Sequence, residues 1–109
     1  MRIPAGKNGV QLRGSPYNVT TGQVYTVKFW MQTDASWNGT DGNSKVRFGN
    51  QSGGLINVCG YSGVKISWTQ ITCTLTVPAN VSQLTVSVGN DAGTGNIWLD
   101  DISLSVAGP

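Results

Sequence analysis

Hydrophobic and polar residues alternate along much of the chain. Residues 23–33 form the longest such segment, and its alternate apolar positions are Tyr25, Val27, Phe29 and Met31. The same alternation recurs in residues 71–77 and 84–88. Because successive side chains of a strand point to opposite faces, a period of two predicts half-buried β-strands. The period of an amphipathic helix is absent.

Clusters of Gly, Pro, Asn, Asp and Ser separate these segments and predict turns. The predicted strands cover residues 10–13, 17–20, 23–33, 45–50, 55–59, 68–77, 84–90 and 97–106. In the last strand the apolar phase slips by one residue at Asp100 and Asp101, which predicts a β-bulge. Short strands at regular spacing predict an all-β, antiparallel two-sheet sandwich. The pattern alone leaves jelly-roll and immunoglobulin-like topologies open.

The length of 109 residues fits a single domain, and we expect residues 1–7 to be a flexible tail. The N-terminus lacks the apolar run of a signal peptide, so we expect either that export information was removed or that the chain is a fragment of a longer one. No stretch of about 18 apolar residues predicts a membrane span.

Charged residues are few, at 11% of the chain, and the formal net charge is only +2. The basic residues are scattered, so no phosphate-binding patch is predicted. We therefore expect neither a nucleic-acid nor a membrane partner. Neutral polar residues supply most of the polarity, which suits an uncharged ligand rich in hydroxyls.

The residues needed for catalysis are largely missing. The chain has no His, and its five acidic residues are all aspartates: Asp34, Asp41, Asp91, Asp100 and Asp101. The first three occupy turn-like loops. The last two are neighbours on a predicted strand and should point to opposite faces, so they could not share one substrate as an acid–base pair. We predict that the chain is not an enzyme.

The two cysteines, Cys59 and Cys73, do not make a zinc site, which requires four ligands. A disulfide and a pair of small core residues both remain open at this point.

Several segments together resemble a known family. They are WTQITCTLTVP at residues 68–78, GNIWLDDISL at 95–104, TGQVYTVKFW at 21–30 and VRFGNQS at 46–52. In this order they resemble the carbohydrate-binding modules of the family 4, 9, 16 and 22 group. The resemblance extends over residues 8–106.

The resemblance implies a jelly roll that binds a neutral plant-type polysaccharide, such as xylan, β-glucan or cellulose chains, on the concave outer face of one sheet. It also implies a secreted module that targets an attached glycoside hydrolase to its substrate. We assign that sheet to residues 10–13, 45–50, 55–59 and 84–90. The candidate binding residues are Arg13, Tyr17, Trp37, Arg47, Asn50, Gln51, Asn57, Tyr61 and Ser87, with Gln11 and Thr85 on the same face and Asn90 and Asp91 at the cleft end.

The four tryptophans require separate interpretation. Trp37 lies among small polar residues, and we expect it to be exposed and available for contact. Trp68 and Trp98 occupy positions that hold structural aromatic residues in the family. Trp30 is out of phase with the core side of its strand, so it is either a sugar platform or covered by another segment.

The chain departs from the family at its N-terminus. Family modules begin with a strand containing Asn-Pro-Gly-Phe-Glu, which is absent here. An unpaired edge would favour dimerisation. Family members also hold a structural calcium at the position of Asp100, although the other expected ligands are missing, and no further cofactor is expected.

The alternative function is a structural or assembly domain of a surface or phage-tail protein without a sugar ligand.

Overall fold

The computed structural model describes residues 1–11, 16–40, 44–61 and 63–107. Its described residues form strands and turns, and no helix among them could cross a membrane. The strands are β1 (Arg2–Ile3), β2 (Lys7–Gln11), β3 (Tyr17–Asn18), β4 (Val24–Thr33), β5 (Lys45–Gly49), β6 (Leu55–Gly60), β7 (Thr69–Thr76), β8 (Gln83–Asn90) and β9 (Ile97–Ala107).

Two antiparallel sheets face each other. One sheet has the order β1-β9-β4-β7, and the other has the order β2-β8-β5-β6, with β3 also pairing with β8. The predicted all-β, antiparallel two-sheet sandwich is therefore confirmed. The four segments assigned to the binding sheet do share one sheet, within the described residues.

The core lies between the sheets, where the alternation predicted from the sequence is observed. In β4 the buried residues are Tyr25, Val27, Phe29 and Met31, while Lys28 and Trp30 are exposed. Across the interface, β8 contributes Leu84, Val86 and Val88, all fully buried. Burying these side chains removes apolar surface from water. This burial stabilises the folded state by about 25 cal/mol per Å² and is the main force that holds the sheets together.

The predicted bulge in β9 is confirmed. Lys28 pairs with Ser103 and Trp30 pairs with Asp100, so two residues of β9 lie opposite one of β4. Asp101, at the bulge, has a φ angle of 51°, a left-handed conformation in which Asp is tolerated better than most residues. The bulge brings the apolar residues that follow it back into the inward phase.

The C-terminal half of β9 is a free edge in the described part of the chain. On this side β1 pairs only with Ile97 and Trp98. Beyond that point Ile102 is 36% exposed and Val106 is 48% exposed, although both are in the inward phase of the strand. These side chains are exposed because no described element covers this edge of the sheet.

The N-terminus does not form the expected flexible tail. Arg2–Ile3 is strand β1, and Ile3 is buried to 1% exposure. The Met1 amine donates to Leu99 O at 2.9 Å, and Leu99 N donates to Met1 O at 2.8 Å. The expectation failed because the apolar Ile3 is isolated in the sequence and carries no periodic signal.

A disulfide joins Cys59 of β6 to Cys73 of β7. These strands are the outer strands of the two sheets on one side of the sandwich. The bond therefore fastens the two sheets together at that side. Of the two alternatives left open by the sequence, the structure has the disulfide.

Candidate functional site

A row of side chains crosses the outer face of the five-stranded sheet. Arg47 of β5 lies opposite Ser87 of β8 and, on its other side, opposite Val58 of β6. Ser87 in turn lies opposite Gln11 of β2. Residues directly opposite one another in an antiparallel pair share a face. Arg47 therefore sits in the middle of a row that spans four strands.

A groove of about 440 Å³ lies on this face. Its lining residues are Gln11, Arg47, Gly49, Gly53, Leu55, Thr85 and Ser87. Thr85 lies opposite Gly49, and a Cβ atom built on Gly49 would come within 2.5 Å of Thr85 Oγ1. The absence of a side chain at Gly49 therefore leaves space for the Thr85 hydroxyl in the groove.

The groove combines hydrogen-bonding groups with a limited apolar surface. The guanidinium of Arg47 offers several donors in a fixed plane, and the hydroxyls and the amide beside it both donate and accept. Leu55 contributes an apolar side chain that is 64% exposed. Among the described residues, Arg47 is the only charged residue that lines the groove. This set of groups suits a neutral ligand with many hydroxyls.

Asn57 is not where the sequence analysis expected it. It pairs with Phe48, whose side chain points into the core, so Asn57 lies on the inward side at the exposed edge of the sheet. Its Oδ1 accepts a hydrogen bond from Val58 N at 2.9 Å. A register irregularity between Phe48 and Gly49 separates this pairing from that of Leu55. Leu55 and Val58 occupy the outer face instead.

Tyr61 was expected at the end of the cleft as an aromatic contact, but its ring is buried to 3% exposure. The ring meets Phe29 edge-on, with centroids 6.0 Å apart. Its hydroxyl donates to Gly89 O and accepts from Gly89 N. Burial raises the pKa of Tyr61, more than the Gly89 hydrogen bond and the charge of Arg47 lower it. Tyr61 therefore serves the core and offers no ring face to a ligand.

Trp37 was expected to be exposed, and this prediction is wrong: it is 3% exposed. Its Nε1 donates to Asn90 Oδ1 at 2.8 Å. The amide of Asn90, fully buried at the end of β8, donates to Ile3 O at 2.9 Å and to Gly95 O at 3.0 Å. Trp37 and Asn90 therefore form a buried link between β1, β8 and two loops.

The loop that carries Trp37 is held against the glycine loop before β9. Asp34 Oδ2 accepts from Asn96 N at 2.7 Å and from Asn96 Nδ2 at 2.9 Å. Thr94 Oγ1 donates to Ser36 O at 2.6 Å. A Cβ atom on Gly95 would lie 2.5 Å from the Trp37 Cα. Glycine at this position therefore permits the close approach that buries the indole.

Asn50 and Gln51 stabilise turns. Asn50 Oδ1 accepts from Ser52 N and Gly54 N, both at 2.9 Å. Gln51 Nε2 donates to Asn80 O at 2.8 Å, and its Oε1 accepts from Ser82 N at 3.2 Å. These two hydrogen bonds engage both ends of the Gln51 amide within the protein. The contact of Asn50 and Gln51 with ligand stays a prediction.

The remaining candidates fall into three groups. Arg47 and Ser87 lie together in the groove, as predicted for that face. Tyr17 of β3 pairs with Leu84 and packs on the core, so its ring is on the inner side. Arg13 lies outside the described residues.

Aromatic side chains are absent from the groove lining. All nine aromatic residues of the chain are described, and none of them lines this groove.

The sequence did not predict Leu55, Gly49 and Gly53 as lining residues. Leu55 follows a glycine turn and precedes Ile56, so in the sequence it is easily taken for the start of a core strand. Which face it takes depends on a register that the sequence does not reveal.

The calcium expected at Asp100 finds little support in the arrangement of side chains. The Asp100 carboxylate is exposed and accepts from Asp101 N at 2.9 Å. Among the described residues, no three His, Cys, Asp or Glu side chains come together in a way that could hold a metal ion. Calcium requires six to eight oxygen ligands. The structural calcium at Asp100 stays a prediction.

No family model matches the chain, and no curated protein matches its sequence. Solved structures do match. A family 4 carbohydrate-binding module (CBM4) aligns with a TM-score of 0.67 at 17% identity, covering 84% of this chain and 57% of that chain. A family 16 carbohydrate-binding module aligns with a TM-score of 0.59 at 16% identity, covering 95% of this chain and 74% of that chain.

A third structure is a carbohydrate-binding module of lichenase 5A from Cellvibrio mixtus, in complex with cellotriose. It aligns with a TM-score of 0.53 at 19% identity, covering 94% of this chain and 72% of that chain. The chain thus spans little more than half the length of the CBM4 chain. These alignments define the class of fold: the chain is a jelly-roll sandwich of the kind found in carbohydrate-binding modules, and the predicted topology is confirmed.

Proposed function

We propose that the chain is a non-catalytic module that binds a neutral polysaccharide in the groove of the five-stranded sheet. The observation that carries the proposal is the groove itself, in which Arg47, Ser87, Thr85 and Gln11 present hydrogen-bonding groups and no described lining residue is a carboxylate. A sugar chain offers hydroxyls that donate and accept, which matches these groups. The fold shared with carbohydrate-binding modules supports the same conclusion.

The proposed ligand is a β-linked plant-type chain such as xylan, β-glucan or cellulose. An acidic polysaccharide is less suitable, because Arg47 is the single cation among the described residues that line the groove. An extended neutral chain can lie across the row of side chains from β2 to β6 and meet the apolar side chain of Leu55. The cellotriose in the complex of the lichenase module supports this ligand class.

The proposal includes a cellular context. A module of this kind would be secreted as part of a larger protein and would direct an attached glycoside hydrolase to its substrate. The Cys59–Cys73 disulfide supports an oxidising compartment, since disulfides persist mainly outside the cytosol.

The free edge of β9, with Ile102 and Val106 exposed beside it, supports pairing of two copies through this edge.

Affinity electrophoresis tests the proposed function. The protein is run through native gels that contain xylan, mixed-linkage β-glucan, hydroxyethylcellulose or, as a charged control, polygalacturonate. We expect retardation by at least one of the neutral β-linked polymers and a weaker effect from polygalacturonate. Migration unchanged in every neutral gel would reject the proposal and favour a structural or assembly domain that uses the same fold.

A further inference from the structure

Three tryptophans lie on the outer face of the four-stranded sheet, opposite the groove. Trp30 belongs to β4, Trp98 to β9, and Trp68 directly precedes β7. Trp30 is 39% exposed and Trp68 is 45% exposed. We call these three residues the tryptophan face. Contiguous exposed apolar surface of this kind marks interaction sites or ligand-binding grooves.

The register of the sheet arranges the tryptophans in two adjacent rows. Gln32 lies opposite Trp98, and because Met31 lies opposite Thr69, Trp68 is at the level of Gln32 on its other side. The first row therefore reads Trp68, Gln32, Trp98. In the second row, Trp30 lies between Gln70 and Asp100.

Aromatic and polar side chains thus alternate on this face in both directions. A depression of about 350 Å³ lies at the first row. It is lined by Gln32, Thr33, Asp34, Ala35, Ile66, Trp68 and Trp98. Gln32 Nε2 donates to Ile66 O at 2.5 Å and so holds the loop before β7 against the sheet. The depression is therefore built by the sheet and fixed at its rim.

This alternation points to a saccharide and not to a protein partner. A pyranose ring has an apolar face of C–H groups that stacks on an indole, and a rim of hydroxyls that meets amides and carboxylates. The core of a protein–protein interface would instead be depleted of charged residues such as Lys and Asp. The face carries Lys28 and Asp100, charges of both signs, so a polyanion such as nucleic acid is not favoured.

The spacing suits an extended chain. Trp68 and Trp98 are separated by two strand spacings, roughly 9–10 Å, and Trp30 is offset by two residues along its strand, roughly 7 Å. In an extended β-linked glycan, alternate rings turn their faces to the same side of the chain, and the distance between these rings is comparable with the separation of Trp68 and Trp98. Two indoles on one side of the chain would therefore stack on alternate rings of the same molecule.

We propose that the tryptophan face is a second saccharide-binding surface, which stacks on the ring faces of an extended β-linked glycan, such as the surface of an insoluble fibre. The groove of the opposite sheet has hydrogen-bonding groups but no aromatic residue, and the tryptophan face has the stacking groups that the groove lacks. The inference shares its ligand class with the proposed function but uses separate residues.

Adsorption to insoluble glycan tests this proposal. The purified protein and its Trp68→Ala and Trp30→Ala variants are mixed with microcrystalline cellulose and with insoluble xylan, and the free protein is measured after sedimentation. We expect each variant to adsorb about tenfold more weakly than the wild type, because an aromatic stacking contact and its buried area are lost. Trp68→Phe should retain part of the adsorption, since it keeps an aromatic ring.

The matched control is Val64→Ala, which changes another exposed apolar residue of the loop before β7, 47% exposed, without touching the tryptophan face. It should adsorb as the wild type does. Amide NMR spectra of each variant verify that the fold is intact. If Trp68→Ala and Trp30→Ala adsorb as strongly as Val64→Ala, or if the wild type does not adsorb, the tryptophan face is not a saccharide site.

Failure of this proposal is distinguishable from failure of the groove. Loss of adsorption in the tryptophan variants, with no retardation of the wild type in any gel of soluble neutral polymer, would support the tryptophan face and reject the groove. If Arg47→Ala reduces retardation while Trp30→Ala and Trp68→Ala adsorb as the wild type does, the groove is supported and the tryptophan face is rejected.

Discussion

Replacing Trp37 with alanine should lower the free energy of unfolding by about 3–5 kcal/mol, the cost of removing a large aromatic side chain from a core. Trp37 is buried, and its indole nitrogen donates to the equally buried Asn90. The substitution leaves a cavity and deprives the Asn90 oxygen of its donor. Urea unfolding followed by circular dichroism measures the loss.

Trp68→Ala is the matched control for this experiment. It is the same substitution at a residue that is 45% exposed, and it should cost less than about 1 kcal/mol. Should Trp37→Ala fail to fold, Trp37→Phe keeps most of the ring volume but loses the hydrogen bond, and a loss of about 1–3 kcal/mol is expected. Equal losses in Trp37→Ala and Trp68→Ala would contradict the buried position of Trp37.

Replacing Arg47 with alanine should weaken binding to the soluble neutral polysaccharide that retards the wild type by about tenfold to hundredfold. The reason is the loss of charge-assisted hydrogen bonds, which contribute about 1.5–3 kcal/mol each. Arg47 lies in the middle of the row that runs from Gln11 to Val58. Dissociation constants obtained from gels of graded polymer concentration measure the effect.

Two variants sharpen the Arg47 experiment. Arg47→Lys keeps the charge but loses the planar fork of the guanidinium, so it should bind between the wild type and the alanine variant. Lys65→Ala removes one positive charge from the loop before β7, at a residue that lines neither the groove nor the depression on the tryptophan face, and should leave the affinity unchanged. A parallel weakening in Lys65→Ala and Arg47→Ala would indicate a non-specific effect of charge, and the assignment of Arg47 to the site would fail.

The strands and their buried faces could be predicted because the alternation of apolar and polar residues along a strand reflects which of its two faces is buried. In residues 71–77, for example, the alternation predicts that every second side chain is buried, and Cys73, Leu75 and Val77 are all buried. The bulge at Asp101 was predictable for the same reason, since a slipped phase in an otherwise alternating strand has few other structural explanations.

The site was less predictable, because it depends on register and on contacts between distant segments. Asn57 was placed outward by counting along its strand, but the irregularity beside Gly49 places Leu55 and Val58 there. Trp37 lies in a loop of polar residues that gives no sign of burial. Its environment is created by Asn90 and Gly95, which are more than fifty residues away in the chain.

A neutral β-linked glycan should bind the outer face of the five-stranded sheet. An amide NMR titration of the ¹⁵N-labelled protein with cellohexaose, or with xylohexaose if xylan retards it, detects this binding residue by residue. We expect saturable shifts at Gln11, Arg47, Thr85 and Ser87, the row and its neighbours in the groove. Unchanged positions of these four amides at saturating oligosaccharide would contradict it.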